Sequence, residues 1–95
     1  MKTKAEELIG LLDDARAIAE ERLQRRSPDE RNLSALETIA AVLQDYKEKV
    51  LSGTLSPSEG HVTLGLTRFV ADWDELDSPL LKAVGKADRF YRDDF

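Results

Sequence analysis

Ser27-Pro28-Asp29-Glu30 and Ser56-Pro57-Ser58-Glu59 repeat one pattern, and Ser78-Pro79-Leu80-Leu81 repeats its first half. In such a stretch the serine oxygen accepts an unpaired N–H two or three residues on, and a glutamate three residues later reaches back to the serine N–H. Proline at the first helical position has no N–H to leave unpaired. Each Ser-Pro pair stands directly before a run with helical hydrophobic spacing. The pairs therefore mark three helix starts, and Thr3 with Glu6 makes a further capping box near the amino terminus.

Working outward from these starts, the apolar spacing predicts four helices. The first covers about 4–26 and lines up Ala5, Leu8, Leu12, Ala15, Ile18/Ala19 and Leu23. The second covers 28–52, with Leu33, Leu36, Ile39/Ala40, Leu43, Tyr46 and Val50 on one face and Gly53 placed as its carboxyl cap. The third, over 57–73, differs in kind, because between Gly60 and Ala71 its one permanent charge is Arg68. Val62, Leu64, Leu66, Phe69 and Val70 leave it little polar face, so it is expected to be buried on more than one side and to form the spine of the core. Gly65 within it reads as a point where a neighbouring helix comes close. The fourth covers 79–92 and carries Leu80, Leu81, Val84, Ala87 and Phe90/Tyr91.

Connections of a few residues favour antiparallel neighbours, so the expected fold class is all-α, a single-domain antiparallel (up-and-down) four-helix bundle. The Ser-Pro spacings of 29 and 22 residues do not signal a repeat. The apolar registers that follow them do not superpose, and the third pair lacks the glutamate.

A chain of 95 residues, 41% hydrophobic and 35% charged, fits one domain with one core. It has no cysteine, which excludes disulfides and thiolate metal sites and is compatible with a reducing cytoplasm. Met1-Lys2-Thr3-Lys4 leads into Ala5-Glu6-Glu7 and not into an apolar run, so no signal peptide is read. No apolar stretch is long enough to span a bilayer, and the expected location is cytoplasmic.

The net charge of −5 is unevenly spread. Residues 1–26 hold six basic and six acidic side chains, residues 27–53 three and five, and residues 54–95 five and eight. The densest acid is Asp72-Trp73-Asp74-Glu75-Leu76-Asp77, four carboxylates in six residues. Such a balance, with no basic stripe, argues against a general nucleic-acid binder.

Catalytic and metal patterns fail in turn. His61 is the sole histidine and belongs to no His-Glu-x-x-His or Glu-x-x-His pattern, so it reads as a packed, hydrogen-bonded side chain. There is no Gly-x-Ser-x-Gly elbow and no phosphate-cradling glycine loop. A calcium loop starting at Asp72 would need an oxygen ligand, a glycine and a carboxylate where Leu76, Asp77 and Ala83 stand. The chain is therefore not read as an enzyme, and no catalytic residue, metal ligand or cofactor is assigned to it.

The candidate partner-binding residues are Asp72, Trp73, Asp74, Glu75 and Asp77, because an aromatic anchor rimmed by charge is where protein interfaces concentrate their energy. The bland alternative is that Trp73 packs inward one turn from Phe69. In an up-and-down order this corner also meets the end of the first helix, where Arg22, Arg25 and Arg26 could neutralise it. The favoured function is a small acidic domain that binds a basic protein partner, most concretely an immunity or antitoxin protein. The chain is similar to small acidic helical immunity proteins in general build, with no residue motif behind the likeness. Two other classes compete. One is a self-associating structural or scaffolding bundle, possible as a homodimer and suggested by the aromatic rings of Phe90, Tyr91 and Phe95. The other, the weakest, is a regulatory nucleic-acid-binding domain using Arg16, Arg22, Arg25 and Arg26.

Overall fold

A computed structural model describes residues 3–25, 33–55, 65–75 and 77–94. They form α1 (Lys4–Arg25), α2 (Leu33–Ser52), α3 (Leu66–Ala71) and α4 (Pro79–Asp94), with no strand among the described residues. The capping boxes at Ser27 and Ser56, His61, Arg26, Phe95 and the stretches 28–32 and 57–64 of the expected second and third helices lie outside the described residues. The four helices pack into one globule with extents of 41 × 22 × 22 Å.

The start of α1 follows from Thr3, whose Oγ1 accepts the Glu6 N–H at 3.1 Å while its carbonyl accepts the Glu7 N–H at 3.0 Å. Leu8, Leu12, Ala15 and Ala19 recur at intervals of three and four, and all four are buried. On α2 the buried set is Leu36, Ile39, Leu43 and Val50. Gly53 ends that helix at φ +73°. Its N–H reaches the Val50 carbonyl at 3.2 Å and the Thr54 N–H reaches the Lys49 carbonyl at 2.9 Å, the paired bonds of a Schellman cap.

The centre of the core is α1, which packs against both α2 and α4, whereas α3 packs against α4. Ala15 and Ala19, the last two residues of the buried stripe of α1, are small and let neighbouring helices come close. In its described part the expected third helix is not the spine; its stretch 57–64 lies outside the described residues. Gly65 adopts φ +77°, a left-handed conformation that no α-helix can continue through, and so α3 starts only at Leu66. Six residues bury Leu66 and Val70 while Arg68 and Phe69 face outward.

Gly65 is also not a point of close approach. A Cβ placed there would meet nothing within 4 Å, so the glycine serves the turn and not the packing. With no side chain at the cap position, the first turn of α3 is satisfied from elsewhere. Asp88 on α4 is buried, and its Oδ2 accepts both the Thr67 N–H at 2.7 Å and the Thr67 hydroxyl at 2.5 Å. A residue of another helix thus caps α3. On α4 itself, Leu80, Val84, Ala87 and Tyr91 complete the core and Phe90 packs partly buried against it. Of the terminal rings, Tyr91 is buried, Phe90 is half-buried and Phe95 lies outside the described residues.

Candidate functional site: the acidic corner between α3 and α4

Two backbone turns lie between α3 and α4. The N–H groups of Trp73 and Asp74 both return to the Val70 carbonyl, at 3.2 and 2.9 Å, and the Ser78 N–H reaches the Glu75 carbonyl at 3.1 Å. Ser78 then starts α4 as the sequence pattern implies. Its Oγ accepts the Leu81 N–H at 3.0 Å, its carbonyl accepts the Lys82 N–H at 3.1 Å, and Pro79 takes the first helical position.

The five candidate residues divide into two groups. Asp74 turns inward, with its side chain only 6% exposed, and Trp73 is half-buried against the core. Asp72, Glu75 and Asp77 are exposed. The inward group is knotted together. The Ser78 hydroxyl donates to Asp74 Oδ2 at 2.5 Å, and the Arg22 guanidinium of α1 donates to the same oxygen at 2.9 Å. Arg22 also lies over the Trp73 ring, 5.9 Å from its centroid, and Trp73 meets Phe69 edge to face with centroids 6.1 Å apart. Burial pushes the Asp74 carboxyl up. The bonds from Ser78, Arg22 and the Glu75 backbone, with the Arg22 charge added, outweigh that and hold it below its ordinary value of 3.8.

Arg22 thus spans from the end of α1 to this corner. Arg25 does not join it, because it pairs with Glu21 one turn back on α1. Arg16 pairs with Glu20 at 3.5 Å. Each described arginine of the nucleic-acid reading is therefore engaged with a carboxylate. Asp72, Glu75 and Asp77 make no ion pair with the described residues. Among those residues no three His, Cys, Asp or Glu side chains are grouped to hold a metal ion, and no helix is long and apolar enough to cross a membrane.

The sequence reading missed Asp88 as the cap of α3. Its only signal was an acid at a position of α4 next to the apolar Ala87, one step round the helix from the buried stripe. No family model, no curated protein and no solved structure matches the chain.

Proposed function

We propose that the chain is a protein-interaction domain that seats a basic surface of a protein partner on the corner formed by Asp72, Glu75 and Asp77, in the way an immunity protein or antitoxin covers a basic toxin. The observation that carries this reading is the division of labour at the corner. One carboxylate, Asp74, is held by Arg22 and Ser78 and fixes the turn, while three others stay exposed beside Trp73 and the 36%-exposed ring of Phe69. Charges presented on a turn whose geometry is already fixed cost little ordering on binding, and complementary charge speeds encounter. A net charge of −5 adds to the attraction for a basic partner. The absence of cysteine suits a reducing compartment such as the cytoplasm.

The up-and-down antiparallel order belongs to the same proposal. It is supported by Arg22, near the end of α1, meeting the residues that precede α4.

Affinity capture from the native host with the wild-type chain and with an Asp72→Asn, Glu75→Gln, Asp77→Asn variant tests the function. A basic protein held by the wild type at about 50 mM salt, released at about 500 mM and not held by the variant is the expected result. Recovery of no basic protein at low salt, or equal recovery by the variant, rejects it.

A further inference from the structure

An open groove of ≈ 290 Å³ runs between α1 and α4, floored by Leu11, Ile18 and Ala83. Its two walls carry opposite charge. Asp14 stands on the α1 side, and Lys82 and Lys86, one turn apart, stand on the α4 side. All three are exposed, and none forms an ion pair with the described residues although they flank the same groove. Apolar floor residues thus lie between exposed charges of both signs.

We propose that this groove is the face on which a second copy of the chain docks about a two-fold axis. A two-fold axis matches the same patch to itself, so residues of one wall meet residues of the other. Here it lays α1 of each copy on α4 of the other. Asp14 of each copy then faces Lys82 and Lys86 of the other, twice over, and Leu11, Ile18 and Ala83 from both copies close over one another. A foreign acidic helix would satisfy the two lysines but would bring its acid against Asp14. A foreign basic helix would satisfy Asp14 and oppose the lysines. A second copy uses all three charges with the sign each needs, and it does so with no contribution from the corner at Asp72–Asp77. The apolar floor is narrow, which places the contact among the small, transient interfaces.

Sedimentation equilibrium tests this with three chains: wild type, Asp14→Lys, and the double variant Lys82→Glu, Lys86→Glu. The substitutions lie on exposed helix positions, and circular dichroism confirms that each variant is folded. The wild type is expected to dimerise. Each variant alone, with walls of one sign, is expected to dimerise at least about tenfold more weakly. The informative sample is the equimolar mixture of the two variants. In it the reversed α1 wall of one chain meets the reversed α4 wall of the other while the native walls also match, so association returns to within about threefold of wild type. A wild type that stays monomeric at about 1 mM overturns the proposal, as do variants that dimerise like wild type or a mixture that does not recover.

Discussion

Ser78 serves two elements with one hydroxyl. It accepts the Leu81 N–H as the cap of α4 and donates to Asp74 in the preceding turn. Ser78→Ala therefore removes a helix cap and one of the bonds to a buried carboxylate, with an expected loss of about 1–2 kcal/mol in urea unfolding. Arg22 is the other donor to Asp74, and Arg22→Met, which keeps an unbranched stem and removes the guanidinium, is expected to cost about 1.5–3 kcal/mol because a nearly enclosed carboxylate loses its charged partner. Asp88 works the same way for α3. Its Oδ2 takes two bonds from Thr67, while its Oδ1 is buried with no hydrogen-bond partner among the described residues. Asp88→Ala leaves the Thr67 donors without their acceptor and is expected to cost about 1–3 kcal/mol, whereas Asp88→Asn keeps one acceptor oxygen and costs less. Hydrogen exchange separates this from a general loss of stability, since α3 loses protection first while α1 and α2 keep theirs.

At the scale of elements, the glycines sort by what the backbone asks of them. Gly53 and Gly65 sit at φ +73° and +77° with open space where a side chain would go, so alanine at either meets no clash but pays the left-handed penalty of roughly 1–2 kcal/mol. Gly10 and Gly85 lie inside α1 and α4, where a Cβ would meet nothing within 4 Å or only Thr67 Oγ1 at 3.9 Å. Gly10→Ala and Gly85→Ala are expected to stabilise by roughly 0.5–1 kcal/mol each, read as a raised Tm in calorimetry. The same sorting explains what was legible from residues alone. Helix starts at Thr3 and Ser78 and the end at Gly53 are local chemistry, decided within four or five residues, and so could be read directly. Gly65 was ambiguous, because a glycine in an apolar run can mean close packing or a left-handed turn, and only the backbone angle separates the two. The centrality of α1 was hidden for a different reason. The third stretch is the more apolar, but the position of a helix within a core depends on which partners its neighbours leave available, and that is a property of three dimensions.

For the whole molecule, the acidic corner is legible as composition and illegible as division of labour. Four carboxylates in six residues can be counted, but that Asp74 alone turns inward depends on Arg22, which lies 52 residues earlier. This has a consequence in acid. A carboxyl held below its ordinary value binds its proton less readily in the folded chain than in the unfolded one, so acid favours unfolding. The stability Asp74 contributes is complete above 3.8 and is lost as pH falls through its lowered folded value. Asp74→Asn is therefore expected to be less stable than wild type at neutral pH and to lose less stability on acidification below 3.8, as measured by urea unfolding across that range. The bonds that Thr67 donates to Asp88 bear on time as well as on strength. The two residues are 21 positions apart, so a chain emerging from its amino terminus has made all of α3 before the group that completes its first turn exists. With six residues and no cap of its own, α3 lacks the length to persist alone and must wait for α4 to arrive. In refolding kinetics the two should appear in a single step, with α3 showing no earlier phase, and α1 with α2 is free to form ahead of them.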